Sequence, residues 1–324
     1  MMKAKKAIVV FVACLSLLFI LPSGVWAKAF PAKDVTFVLP VPPGGGFDTV
    51  VRMLVPYLKK YLPNPVNIVV RNMPGGEWTI GINHVYRAKP DGYTVGIFNL
   101  PGNVVHMITG RAKYDLAKMT WFGCPADVTI VTALSPKSKY KTLKDLQEAP
   151  RVLAGVTGMA SADGLFTLLA TEAMGIKMDY VHHDGSPQAM LAAIRGDLDW
   201  VQYPYGSLLR HLESGDLIPV WVYAKKRLKG LPNVPTVAEL GYEQLAGSVS
   251  LFRPVAGPPG LPDSVARVWR ETLQKAAQDP KFVAAMDKRR LEPVYYGPEE
   301  TAQKVKASLE TFSRYKDVLL KALK

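Results

Sequence analysis

The chain has 324 residues, 48% of them hydrophobic and 21% charged, and carries a formal net charge of +13. Its lysines and arginines are scattered or paired and form no long cluster, which argues against a nucleic-acid partner. Of its two cysteines only Cys124 lies beyond residue 27, so an internal disulfide or a cysteine-based metal site is excluded in a chain without that segment.

Residues 1–27 predict a secretory signal peptide. Three lysines precede an apolar run from Ala7 to Leu21, and Val25-Trp26-Ala27 is typical of a cleavage site. The apolar run is too short for a membrane anchor, and no second run follows. We therefore expect a periplasmic protein that begins near Lys28, with its net charge lowered from +13 to +10.

The first segment after the leader is a strand that runs into a glycine-rich turn. Val35–Leu39 is apolar, Pro42-Pro43 forms a stiff corner, three glycines follow, and Asp48 is placed to cap a helix over 49–61. Such a turn presents backbone N–H groups and a positive helix end to an anion. The alternative is an ordinary strand-to-helix connection that needs glycine for its dihedral angles.

Strand-like and helix-like segments alternate along the rest of the chain and predict an α/β protein with largely parallel sheets. Pro56 fits the first helix poorly, because proline removes one backbone bond. The further predicted strands are 66–70, 94–98, 129–134, 152–155, 179–182, 198–202, 218–223, 248–252 and 293–296, and the further helices include 163–174, 187–195 and 263–277.

Two segments, 116–125 and 247–259, are predicted to cross between domains, because each joins a strand-like run to Pro or Gly punctuation. The division places one discontinuous lobe at 28–125 and 250–324 and a second lobe at 126–249. We expect a hinge between the lobes and a ligand in the cleft.

Several motifs resemble the Bug family, the periplasmic receptors of tripartite tricarboxylate transporters. Their order and spacing cover almost the whole chain after the leader. The motifs are Val38–Asp48 with Arg52, Arg71–Gly76, Lys89–Thr94, Asp184–Ser186, Gly196–Asp199, Leu231–Glu239, Ala256–Gly260 and Gly297–Glu300.

The resemblance implies a two-lobed clamshell of the type II periplasmic-binding-protein kind that holds a small organic acid between two loops. Ser161 is the expected side-chain donor of the second loop and Thr157 a weaker one; helix capping or turn formation is the alternative role for both. The first loop supplies Pro43, Gly44, Gly45, Gly46, Phe47 and Asp48, and the second, within 155–164, also supplies Met159 and Ala160.

Asp48 is expected to hold the first loop, as helix cap or partner of a ligand amine or bridging water, because its charge would repel a carboxylate.

Three departures from the family pattern bear on the ligand. The family usually has Gly at Ala160 and His at Gly164, so the second loop could hold its ligand differently. Trp78 could stack on a planar ligand and Glu77 could pair with a ligand amine, or both are surface substitutions.

The third departure is His182-His183-Asp184, which ends a predicted strand at the cleft edge. His183 or Asp184 could therefore contact the ligand and make its binding depend on pH.

Aromatic residues gather in the predicted second lobe. Trp200, Trp221 and Tyr223 read as packing residues. Tyr203 and Tyr205 follow a strand at a segment that enters the cleft in the family, so one of them is expected to form a pocket wall.

The resulting interpretation is a monomeric solute receptor that binds no metal or cofactor, performs no chemistry and delivers its ligand to a two-subunit inner-membrane permease. A sensor for a membrane histidine kinase is the alternative, and a periplasmic enzyme is a third, resting on Cys124 or the two histidines. Ligand identity stays open among di- and tricarboxylates, aromatic acids, amino acids and amides, with a slight lean away from citrate.

Overall fold

The computed structural model describes residues 30–44, 46–159, 161–246, 249–289, 291 and 293–322. The expected signal peptide, residues 1–27, lies outside the described residues, as do Gly45 and Ala160. None of the helices in the described ranges has the length and apolar character needed to cross a membrane.

Strands and helices alternate through the described chain. The strands are β1 (Val35–Leu39), β2 (Ile68–Asn72), β3 (Thr94–Ile97), β4 (Thr120–Leu134), β5 (Val152–Val156), β6 (Met178–His182), β7 (Trp200–Pro204), β8 (Ile218–Val222), β9 (Ser250–Phe252), β10 (Val255–Gly257) and β11 (Pro293–Tyr296). The helices are α1 (Gly46–Tyr61), α2 (Thr79–Tyr86), α3 (Gly102–Ile108), α4 (Leu143–Glu148), α5 (Ala162–Met174), α6 (Ser186–Arg195), α7 (Tyr205–Glu213), α8 (Glu243–Ala246), α9 (Asp263–Ala277), α10 (Pro280–Lys288), α11 (Pro298–Arg314) and α12 (Lys316–Ala322).

The long strand β4 joins two halves of one sheet, whose order is β2-β1-β3-β10-β4-β7-β5-β6. We call β1, β2, β3 and β10 the β1 half, and β5 to β8 the β5 half. The first residues of β4 pair with β10, its middle with β11 and β9, and its last with β7 and β8. One continuous strand therefore carries the chain from one half to the other.

Parallel pairing is confined to two sets of strands. β1 lies between β2 and β3, and β5 lies between β6 and β7, all parallel. All pairs made by β4 are antiparallel, so the expectation of largely parallel sheets was wrong for the centre of the molecule. The reason is that β9, β10 and β11 return the chain along β4 instead of entering by helical crossovers.

The core of the β1 half lies between β1 and α1. Val50, Leu54 and Leu58 recur at helical spacing and are buried, whereas Pro56 lies on the exposed side of the same helix. The indole of Trp269 on α9 stacks on Phe122, with ring centroids 5.7 Å apart. Both rings belong to the hydrophobic core that also contains Phe37 and Leu39 of β1.

The core of the β5 half contains a hydrogen-bonded polar group. Trp200 and Trp221 are fully buried and meet edge to face at 5.2 Å, as their packing role predicts. Beside them the Gln202 carbonyl oxygen accepts from the Tyr223 hydroxyl at 2.7 Å and from the Thr132 hydroxyl at 3.0 Å. These bonds join β7 and β8 to β4 below the second loop.

Most predicted elements coincide with observed ones, and β1, β11 and α9 coincide at both ends. β4 begins at Thr120, nine residues before the predicted start, and β10 was not predicted. The division into lobes at 125 and 250 stays a prediction.

Candidate functional site

The candidate site is a cavity of about 650 Å³ at the carboxyl ends of β2, β3, β5 and β6. Ligands of α/β proteins commonly bind at this end of parallel strands, because the following loops converge there. Its walls come from both halves of the sheet and from the C-terminal helix. They are formed by Glu77, Trp78, Asn99, Gly102, His106, Arg111, Thr157, Gly158, Met159, Ser161, Ala162, His182 and Ala322.

Asp48 fixes the first loop. Its carboxylate accepts from the Gly44 backbone N–H at 3.1 Å, from Arg52 Nε at 2.8 Å and from Asn72 Nδ2 at 3.0 Å. The Asn72 amide also donates to the Val41 carbonyl oxygen at 2.9 Å. Asp48 thus connects the loop to α1 and to β2, consistent with the holding role expected for it.

The capping role expected for Asp48 needs correction. α1 begins at Gly46, so Asp48 lies in its first turn instead of before it. The Arg52 guanidinium and the other donors hold the pKa of this buried carboxyl at about 2, against a usual value of 3.8. The charge is therefore satisfied within the protein.

Phe47 links the first loop to the cavity wall. Its ring meets the Trp78 ring edge to face, with centroids 4.5 Å apart, and the guanidinium of the buried Arg253 lies 4.4 Å from its centroid. Trp78 lines the cavity, whereas Pro43 and Gly44 are exposed at the outer side of the loop. The structure thus brings the first loop beside the cavity through Phe47.

Glu77 and Trp78 both have left-handed backbone conformations, with φ of 49° and 82°. This conformation is unfavourable for residues with a Cβ atom and often marks functional sites. It turns the Glu77 carboxylate toward α3, where Glu77 Oε2 lies 3.5 Å from His106 Nε2 and 3.9 Å from an Arg111 nitrogen. Burial lowers the pKa of His106, and the Glu77 charge opposes this.

The hydroxyl groups of the second loop donate to Asp163. The Thr157 backbone N–H and hydroxyl lie 2.6 Å and 2.7 Å from the Asp163 carboxylate. The Ser161 hydroxyl lies 2.5 Å from this carboxylate and 2.5 Å from the Gly158 carbonyl oxygen, which share its one proton. Ser161 is also the N-cap of α5 and accepts from the Gly164 N–H. Both side chains line the cavity, but in this conformation their hydroxyl groups hold the loop together.

Close neighbouring atoms explain why position 164 is a glycine. A Cβ atom built there would overlap the Gly158 carbonyl oxygen and contact the Met159 backbone. The second loop therefore folds back over the start of α5 more closely than any larger residue allows.

Tyr203 and Tyr205 point to different places. Tyr203 lines a smaller cavity of about 180 Å³ together with Thr157, Asp163 and Gln202. Burial, aided by the Asp163 charge, raises the pKa of the Tyr203 hydroxyl far above its usual range. The Tyr205 hydroxyl lies against Gly230, and Tyr205 lines neither of these two cavities.

Of the residues that end β6, His182 lines the main cavity, and His183 and Asp184 do not. His183 donates its backbone N–H to the Val156 carbonyl oxygen, and its Nδ1 lies 3.0 Å from the Val181 carbonyl oxygen. Adjacent residues of a strand face opposite sides, so the choice between the histidines depended on the register of β6 with β5.

The prediction missed five residues of the main cavity, namely Asn99, Gly102, His106, Arg111 and Ala322. Asn99 and Gly102 follow β3 directly, and their place after a parallel strand was a usable signal. His106 and Arg111 gave no such signal, because a lone histidine in an apolar helix is typical of a core.

Cys124, the candidate nucleophile of the enzyme hypothesis, is buried. Burial raises the pKa of its thiol well above the usual range, which leaves a poor nucleophile.

A sequence model of one family, described as the tripartite tricarboxylate transporter family receptor (TctC), matches residues 50–322. The chain belongs to this family. The resemblance to Bug proteins is thereby confirmed, and the family is one of solute-binding receptors and not of enzymes.

Relatives and solved structures agree with this membership in the TctC family. Protein BugT of Bordetella pertussis is 27% identical over 291 residues, which cover 85% of this chain and 86% of BugT. A TctC solute-binding protein from Polaromonas, solved without ligand, has a TM-score of 0.78 at 21% identity and covers 90% of this chain and 99% of its own.

MatC of Rhodopseudomonas palustris, solved with bound malate, has a TM-score of 0.68 at 22% identity. The match covers 90% of this chain and 100% of MatC. The structures confirm the two-lobed α/β solute-binding fold for this TctC receptor.

Proposed function

We propose that this TctC-family receptor captures a small organic acid in the periplasm and delivers it to a two-subunit membrane permease. The observation that carries the proposal is the cavity of about 650 Å³ whose walls come from both halves of the sheet. A ligand there contacts both halves at once, so it stabilises a closed arrangement over an open one.

The polar groups of the cavity support an acid as the ligand. Arg111 and His182 reach the cavity from opposite halves, and the start of α5 contributes Ala162, whose turn carries backbone N–H groups at a positive helix end. MatC, which shares the fold, was solved with malate. The positive charge of Arg111 suits one carboxylate, with water bridging the remaining distance.

Residues of both loops are proposed to take part in different ways. Trp78, Thr157, Met159 and Ser161 contact the ligand, while Asp48 and Phe47 hold the first loop against the wall. The expected signal peptide, with its lysines and apolar run, supports export of the chain to the periplasm.

A thermal-shift screen of residues 28–324 with malate, adipate, citrate, aromatic acids, amino acids and metals tests this proposal. A ligand at a hundred times its dissociation constant adds about 2.7 kcal/mol to the folded state, which raises the midpoint by several degrees. We expect a shift with an organic acid. A shift with metals alone, or with nothing in the panel, contradicts the proposal.

A bulky side chain placed in the cavity should block ligand binding, and the same substitution on the protein surface is the matched control. Ala162 lines the cavity at the start of α5, and Ala307 is exposed on α11. Ala162→Phe should abolish the shift caused by the bound acid, whereas Ala307→Phe should preserve it. Loss of the shift in both variants would show a general defect instead of a blocked cavity.

Uptake measurements test delivery to the permease. A strain that lacks this chain should accumulate the labelled acid more slowly, and the protein should return the acid chemically unchanged. Normal uptake with altered gene expression would instead support the sensor, and a changed product would support an enzyme.

A further inference from the structure

One wall of the cavity presents hydrogen-bond acceptors, which distinguishes it from a site built only for carboxylates. Glu77 is the main group of this wall, and its side chain is 57% exposed. Oε2 makes both of its contacts, to His106 and Arg111, while Oε1 has no protein partner among the described residues. One carboxylate oxygen is therefore available to a ligand.

His106 adds a second acceptor beside it. Its Nε2 faces Glu77 at 3.5 Å, and since that carboxylate can only accept, the proton of neutral His106 belongs on Nε2. Nδ1 then carries a lone pair. It is buried and has no partner among the residues that the structure describes.

Asn99 supplies a third acceptor. It lines the cavity just after β3, and its side-chain oxygen is buried without a partner within the described ranges. Buried polar atoms are nearly always hydrogen-bonded in folded proteins, so unpaired atoms beside a cavity indicate that a bound group completes them. The donors near Glu77, the His106 Nε2 proton and the Arg111 guanidinium, both lie toward Glu77 Oε2.

The second loop adds no hydroxyl donor to the wall formed by Glu77, His106 and Asn99. The Thr157 hydroxyl donates to Asp163, and the Ser161 hydroxyl proton is held by Asp163 and the Gly158 carbonyl oxygen. Both side chains can contact a ligand, but neither hydroxyl donates to it in this conformation. Arg111 is the competing group, because its charge would favour a second carboxylate on the ligand at this wall. Its nitrogen lies 3.9 Å from Glu77, beyond a direct hydrogen bond.

We infer that Glu77, His106 and Asn99 form a specificity subsite for an N–H group of the ligand, an ammonium or an amide. The ligand is then an acid that carries such a group in addition to its carboxylate. The inference rests on the proposed function, since it assigns the second end of a ligand in the same cavity.

Two matched pairs of compounds test the subsite by isothermal titration calorimetry. Aspartate differs from malate by an ammonium in place of a hydroxyl, and the monoamide of adipate lacks one of its two charges. We expect the N–H compound of at least one pair to bind at least tenfold more tightly. If malate and adipate bind as tightly as their N–H counterparts, or more tightly, Arg111 dominates and the subsite is wrong.

The variant Glu77→Gln removes the charge but keeps the size of the side chain. It should reduce the preference for the N–H compound, measured as the ratio of the two dissociation constants, at least fivefold. Glu148→Gln is the matched control, since Glu148 is an exposed glutamate paired with Lys144 on α4. An undiminished preference in Glu77→Gln overturns the inference.

The outcomes separate the two proposals. Binding of malate or adipate without any N–H preference leaves the receptor function intact and removes only the subsite. Absence of binding across the whole panel of acids overturns both proposals.

Discussion

The rings of Phe47 and Trp78 meet edge to face, with their centroids 4.5 Å apart, and join the first loop to the cavity wall. Phe47 also lies under the guanidinium of Arg253, which follows β9. The first loop, the cavity wall and the residue after β9 thus pack around this one aromatic pair. A change at Trp78 should therefore affect both the pocket and the loop.

Replacing Trp78 by Gly or by Ala separates ring packing from backbone strain. Both variants lose the ring, so the organic acid that the thermal-shift screen identifies should bind about tenfold more weakly, a loss of about 1.4 kcal/mol. Because Trp78 has φ of 82°, Trp78→Ala keeps the strain and Trp78→Gly relieves it. Urea unfolding should show Trp78→Gly to be more stable than Trp78→Ala by about 1 kcal/mol. Unchanged affinity in both would remove Trp78 from the wall.

Asp48 should make the stability of the protein depend on acid pH. Its native pKa of about 2 lies below the usual 3.8, so its stabilising effect is complete above about pH 4 and disappears as the pH falls through 2. Asp48→Asn should therefore lower the free energy of unfolding by about 1 to 2 kcal/mol at pH 7, allowing for solvent screening at the half-exposed Arg52. The difference from the parent protein should shrink toward pH 2 in urea titrations.

Asp279→Asn is the control for this prediction. Asp279 is also buried and paired, to Lys60 at 2.7 Å and to the Tyr61 hydroxyl at 2.9 Å, but it lies outside both described cavities. Both variants should lose stability, and only Asp48→Asn should also weaken binding of the organic acid that the thermal-shift screen identifies. Equal binding by the two variants would exclude the first loop from the site.

The sequence was most informative where local pattern and packing agree. Apolar residues at helical spacing in α9 and the apolar run of β1 locate those elements to the residue. The long strand β4 was predicted only in its second part, because Gly123 and Pro125 read as breaks in a strand. Pairing on both sides of β4 overrides these residues, and one sequence does not display such non-local contacts.

The two loops of the site could be predicted from the sequence, but the contacts in the wall formed by Glu77 and His106 could not. Glycine-rich turns can be recognised from composition alone, and two such turns pointed to Phe47 and Ser161. The contact between Glu77 and His106 depends on how α3 packs after β3, and no spacing rule joins two residues that lie 29 positions apart. Likewise the role of Ser161 depends on Asp163, whose carboxylate competes for its hydroxyl.

Asp163→Asn should loosen the second loop. The Asp163 carboxylate accepts three bonds from Thr157 and Ser161, and an amide in its place can keep only part of them. We expect the organic acid that the thermal-shift screen identifies to bind at least fivefold more weakly and amide exchange at 157–161 to become faster. Hydrogen-exchange mass spectrometry and calorimetry measure the two effects.

Asp145→Asn controls for the loss of a helix-capping carboxylate. Asp145 forms a capping box with Thr142 on α4, away from both described cavities. This variant should lose a little stability and keep its affinity for the organic acid that the thermal-shift screen identifies. If Asp163→Asn behaves in the same way, Asp163 serves only to cap α5.

Gly164→Ala should weaken ligand binding by displacing the second loop, with little change in the structure away from the site. The added methyl group would overlap the Gly158 carbonyl oxygen, and the backbone cannot yield without moving the second loop away from α5. We expect at least a tenfold loss of affinity for the organic acid that the thermal-shift screen identifies, together with a lower unfolding midpoint. Gly175→Ala, at the end of the same helix, has open space around it and φ of 70°, so it should cost about 1 kcal/mol of stability without affecting binding. Intact binding in Gly164→Ala would show that the tight turn over α5 is not needed to hold the ligand.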